Sequence, residues 1–120
     1  MRFRLRTSAR AVALGVCLAL SCAGRDAAEA QGDAKGGRAK AESVCAVCHG
    51  VDGLAKIPEA PNISGQNETY LIEQLTAFKS GERKNEMMSV VVQDLSDADI
   101  ENLAAYYSGI QISVGKTPGQ

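Results

Sequence analysis

The chain has 120 residues, a formal charge of −1 and 45% hydrophobic side chains, which suits one soluble-type domain and gives nucleic acid no basic surface to bind. It holds four cysteines, one histidine and three methionines, a short inventory for any metal chemistry.

Arg2, Arg4, Arg6 and Arg10 open the chain without an acid, and residues 11–23 carry no charge. A basic start followed by a short apolar run is the pattern of a secretory signal peptide, and the run is too short for a membrane-spanning helix of about 20 residues. Residues 1–30 are therefore read as an export signal with no membrane span, and the expected location is the periplasm. Two processing routes are open. Ala28-Glu29-Ala30 before Gln31 fits small-x-small cleavage after Ala30; Ala19-Leu20-Ser21-Cys22 is an imperfect lipobox that would place a lipid anchor on Cys22. Otherwise Cys17 and Cys22 are small apolar residues of a discarded segment. Beyond residue 30 there remain eight basic and twelve acidic side chains, a formal charge of −4. A domain this small often needs a covalent or metal staple.

Asp33 can cap a helix that runs into Cys45. Gly36 and Gly37 cost that helix about 1 kcal/mol each relative to Ala, so they predict either close approach by another helix or a frayed end. Cys45-Ala46-Val47-Cys48-His49 follows, the Cys-x-x-Cys-His attachment signal of a c-type haem, in which each thiol adds to a vinyl group and the histidine becomes an axial iron ligand. Gly50-Val51-Asp52-Gly53 is a turn by composition. The next segment, with Pro58, Pro61, Asn62 and Gly65, lacks any period and is long enough to wrap a haem.

Asn67 caps the second helix, which carries Tyr70, Leu71, Gln74, Leu75 and Phe78 on its apolar face and stops at Ser80-Gly81. Met87-Met88-Ser89-Val90-Val91-Val92 could be a buried strand, but nothing else in the chain reads as a partner strand, so a helical turn or loop is expected. Ser96 with Asp99 makes a capping-box-like start, followed at helical spacing by Ile100, Leu103, Ala104 and Tyr107. That helix should end near Ser108-Gly109. The expected organisation is an all-α domain over residues 31–110 and a flexible tail over 111–120.

Other uses of Cys45, Cys48 and His49 fit poorly. A thioredoxin-like redox pair needs a βαβ context, and tetrahedral zinc needs a fourth ligand that the chain lacks once the signal is removed. With His49 the sole histidine, the second axial position of a haem falls to Met87 or Met88, and His/Met ligation favours ferrous iron.

The chain resembles the class I c-type cytochromes, specifically the small single-haem bacterial c-553 type and each half of the two-haem c4 cytochromes. The resemblance rests on Cys45 to Gly53, on Pro61-Asn62-Ile63-Ser64-Gly65-Gln66, and on Tyr70-Leu71-Ile72-Glu73-Gln74-Leu75. Phe78-Lys79-Ser80-Gly81, Met87-Met88, Leu95 to Ile100 and Ala104-Ala105-Tyr106-Tyr107 continue it in the family's order. It implies a cytochrome c fold of three to four helices wrapped round one covalent haem c. It implies Met88 as the second iron ligand, with Met87 the alternative, Pro61 as the carbonyl partner of His49, and Ile63 as a haem-packing residue. The first and last helices would cross with Gly36 or Gly37 against Leu103 and Tyr107. Ala41 stands where the family often has a bulky residue, which predicts a looser crossing.

What this implies is a non-enzymatic electron carrier between redox proteins: a quinol-oxidising complex or dehydrogenase on one side, a terminal oxidase or reductase on the other. The alternative is a haem-bearing subunit of a larger dehydrogenase or oxidase; a peroxidase or gas sensor would need an open iron site. Lys79, Arg83 and Lys84 form the main basic cluster, either bordering the haem face or solvating a helix end.

Overall fold

The first helix begins where a side chain satisfies its free amides. Asp33 accepts from the Lys35 and Gly36 N–H groups, and α1 spans Ala34–Lys40. In this computed structural model, which describes residues 32–119, the helix continues through a π-helical turn, Ala41–Cys45, into the single turn α2, Ala46–His49. The export signal, its cleavage routes, Cys17 and Cys22 lie outside the described residues.

Helix α3 spans Glu68–Ser80, with the Asn67 side chain accepting from the Tyr70 amide and Gly81 closing it at φ +81°, a left-handed stop that favours glycine. The valine run is helical: α4 is the turn Met88–Val91, followed by a 3₁₀ turn at Val92–Asp94. Helix α5 spans Asp97–Ser108 and starts on a complete capping box between Ser96 and Asp99. No strand occurs among the described residues, so the expected all-α class stands.

The core is Ala41, Leu71, Phe78, Val92, Leu95, Ile100, Leu103, Ala104 and Tyr107. Tyr70, expected on the buried face of α3, is 44% exposed instead; it lies one position before Leu71 and turns past the edge of the stripe.

The crossing of α1 on α5 differs in register from the expectation. A Cβ on Gly37 would collide with the Asn102 carbonyl and meet the Tyr106 side chain, so the contact is with Asn102 and Tyr106 rather than Leu103 and Tyr107. The physical reason is that Leu103 and Tyr107 point into the core, at 2% and 3% exposure, leaving the neighbouring stripe of α5 for the close approach. The crossing is not loose. Ala41 is fully buried, its small side chain letting the backbones meet, and the Asn102 side chain accepts the Asp33 amide proton at 2.6 Å.

Candidate functional site

Cys45 ends the π turn, and Cys48 and His49 lie on α2 one turn further on. A π turn holds one residue more than an α turn, and such insertions are frequent at functional sites; nothing in the composition of residues 41–45 announces it. Neither cysteine is in a disulfide, both are half-buried, and before haem attachment both are thiols. Burial pushes the Cys45 thiol up to about 11, partly offset by the neighbouring Tyr107 hydroxyl and Lys40. Burial likewise raises the Tyr107 phenol, with Cys45 and Tyr106 adding to it. Both groups are therefore neutral at physiological pH.

His49 is buried, at 8% exposure, and its Nδ1 lies 2.9 Å from the Pro61 carbonyl oxygen. A carbonyl can only accept, so Nδ1 carries the proton and Nε2 keeps its lone pair for a metal. The twelve-residue span from His49 to Pro61 is held by backbone bonds: the Lys56 amide to the Cys48 carbonyl at 2.8 Å and the Ile63 amide to the Gly53 carbonyl at 2.8 Å. The Ala55 amide donates to the Asn62 side chain at 2.8 Å, and Ser64 hydrogen-bonds the Asp52 carbonyl. The Asp52 carboxyl is held below its usual range by the Leu54 amide and Lys56.

The two methionines separate by environment. Met88 is half-buried and packs with Ile63 and Leu75 against the core, whereas Met87 is 57% exposed. The Asn85 side chain accepts from both the Met87 and Met88 amides at 3.0 Å, and the Asn85 backbone N–H donates to Ser89 Oγ at 3.0 Å. Asn85 was not singled out from the sequence, although an Asn just ahead of a helical turn is an ordinary cap signal.

Two of the three side chains of the basic cluster are taken up in local contacts. Lys79 pairs with Asp97 at 3.1 Å, while Arg83 lies 4.5 Å over the Phe78 ring and donates to Gln74 at 2.6 Å. Phe78 is thus covered by a cation rather than by solvent.

The donor set fits haem c: two unpaired thiols three residues apart, a buried imidazole with its metal-binding nitrogen free, and a half-buried thioether on a separate segment. Residues 32–106 match the family described as cytochrome C oxidase, cbb3-type, subunit III. The chain belongs to the c-type cytochromes.

Cytochrome c4 of Pseudomonas aeruginosa is 43% identical over 88 residues, which are 73% of this chain and 43% of that protein. Cytochrome c-554(548) of Halomonas halodenitrificans is 44% identical over 80 residues, covering 64% of this chain and 95% of its own. The crystal structure of reduced cytochrome c4 from Pseudomonas stutzeri superposes with a TM-score of 0.63 at 42% identity, over 70% of this chain and 48% of the other. This cytochrome therefore spans about half the length of its c4 relatives and is similar to one of their halves. It carries one covalently bound haem c, at its Cys-x-x-Cys-His motif. No helix among the described residues is long and apolar enough to cross a membrane.

Proposed function

We propose that this cytochrome is an exported, periplasmic one-electron carrier whose iron is held by His49 and Met88. The observation that carries the reading is the pairing of the sole histidine, its Nδ1 committed to Pro61, with one half-buried and one exposed methionine. Cys45 and Cys48 would hold the haem covalently, His49 and Met88 would ligate its iron, Pro61 would orient the imidazole, and Ile63 would pack against the haem. The bound haem supplies a ferric/ferrous couple. The chain's part is to keep both ligands in place in either state, so that little reorganises when an electron passes. With His49 and Met88 both ligating, the iron would offer no vacant position to oxygen or peroxide, which weighs against a peroxidase or gas sensor.

Partners are redox proteins, a quinol-oxidising complex or dehydrogenase as donor and a terminal oxidase or reductase as acceptor. Val47, between the two thiols, and Val90, two residues after Met88, are 78% and 71% exposed, so each ligand-bearing segment offers an apolar contact point suited to brief docking. The same exposure favours, as the second reading, a haem-bearing subunit held permanently in a larger complex. Recovery of the native protein as a free monomer would exclude that reading.

The ligand assignment is tested by substitution. Met88→Ala is expected to abolish the weak far-red ferric band of a sulfur–iron bond and to lower the reduction potential, with Met87→Ala leaving both nearly unchanged. The reverse result makes Met87 the ligand, and carbon monoxide binding rapidly to the reduced wild type would show an open iron. A mass spectrum of the mature protein reports haem count, cleavage before Gln31 and any acyl group on Cys22.

A further inference from the structure

We propose that Tyr106 and Tyr107 are positioning residues for His49, acting through the backbone of the loop that carries Pro61. The inference rests on His49 being the iron ligand, as proposed above. The Tyr107 hydroxyl donates to the Gly50 carbonyl at 3.0 Å, and the Tyr106 hydroxyl to the Val51 carbonyl at 2.9 Å. These are the carbonyls of the two residues directly after His49. Tyr107 also takes hold of the far end of the loop, since its own carbonyl accepts the Gly65 amide at 2.8 Å. One residue of α5 therefore fixes both ends of the segment across which His49 reaches Pro61.

Packing alone does not account for these side chains. Tyr107 is 3% exposed, and a phenylalanine would fill the same core volume without the desolvation of a phenol. The rings lie 5.1 Å apart at 57°, so each hydroxyl is aimed by the other ring and by the helix. The consequence is that the length and direction of the Nδ1–H···O=C bond are set by a rigid helix rather than by a loop free to breathe. That bond decides how strongly the imidazole donates to iron: a firmer bond makes a more electron-rich ligand and favours the ferric state.

The test uses the haem-loaded protein with Tyr106→Phe, Tyr107→Phe and the core substitution Ile100→Val, which weakens packing without touching the loop. Optical spectra first establish six-coordinate His/Met iron in the wild type; their failure removes the ligation reading itself, and the inference with it. With ligation intact, Tyr107→Phe is expected to speed exchange of the His49 Nδ1 proton in the reduced protein at least about tenfold. It should also raise the ferrous-to-ferric ratio at fixed applied potential about threefold, an upward shift of roughly 28 mV at 59 mV per tenfold for one electron. Tyr106→Phe should move both in the same direction by less, and Ile100→Val neither. Wild-type exchange and potential in the Tyr variants, or equal changes in Ile100→Val, would overturn the inference. If Tyr107→Phe fails to hold haem, the half-buried Tyr106→Phe decides by the same two readouts.

Discussion

His49 and Met88 are held by two different kinds of structure. On the histidine side the imidazole is buried, its ring is bonded to a carbonyl twelve residues away, and the loop between is tied to α5 at both ends. On the methionine side, residues 85–91 are held mostly by their own Asn85 and Ser89, with Met87 and Val90 exposed and the core reached at Val92 and Leu95. His49 is placed by tertiary contacts of long sequence separation, Met88 by a local turn resting on two anchors. The difference predicts where the molecule opens first. Segments with few buried contacts have the lowest local unfolding free energy, so the methionine segment should exchange amide protons sooner than the Pro61 loop.

The largest blow to the histidine side is struck away from it. Gly37→Ala puts a methyl group into the Asn102 carbonyl at the α1–α5 crossing, and the backbones must separate, which for overpacking costs about 2–3 kcal/mol. The resulting shift of α5 moves Tyr106 and Tyr107 relative to Gly50 and Val51. A drop of that size in the free energy of denaturant unfolding, together with faster exchange of the Gly65 amide, is the expected result; wild-type stability would mean the helices are not in contact there.

The methionine side has a smaller, local weak point. Asn85→Ala removes an acceptor shared by the Met87 and Met88 amides, a loss of about 1 kcal/mol for a capping side chain. The far-red ferric band should then melt well below the global unfolding temperature, while protection of the Ile63 and Gly65 amides stays as in the wild type. Loss of protection on both sides together would mean that His49 and Met88 are held by one cooperative unit.

This contrast also explains what could be read without coordinates. The local devices were legible: the Asp33, Asn67 and Ser96 caps, the Gly81 stop and the helical turn at the valines each follow from a residue and its near neighbours. The haem motif was legible because the chemistry itself fixes the spacing of Cys45, Cys48 and His49. The register of the crossing was not, since Leu103 and Asn102 are adjacent on α5 and a pattern of apolar residues marks the core stripe rather than the contact stripe. Tyr107 reads as a core residue because a phenol and a phenyl ring are equally apolar in a periodicity count, and Tyr106 enters only as part of the family's motif; the acceptors of their hydroxyls lie 57 and 55 residues away. Tyr70 was misplaced for the same reason, one position off a stripe drawn from composition. The π turn leaves no compositional trace.

The smallest expected effect lies where the two sides join, at the start of α5. Asp99 accepts from the Ser96 amide and hydroxyl and from Lys40 of α1 at 3.1 Å, so one carboxylate closes the cap of α5 and ties α1 to it. The Ser96 amide first, then its hydroxyl and Lys40, hold this carboxyl below the ordinary value of 3.8. A group whose folded value is depressed contributes stability above its unfolded value and loses it as pH falls through the folded one. The Asp99→Asn variant keeps an acceptor for Ser96 but loses the charge facing Lys40 and the helix N-terminus. It should therefore be slightly less stable than the wild type at pH 7, with the gap closing below about pH 4 as Asp99 protonates. Paired thermal melts at pH 7, 4 and 2.5 measure this, and a gap that persists at pH 2.5 would assign the loss to packing of the side chain rather than to its charge. The charge matters most to the histidine side, because Lys40 directly precedes the π turn that delivers Cys45; the acid-induced loss should accordingly appear in exchange at the α1–α5 crossing before it appears around Met88.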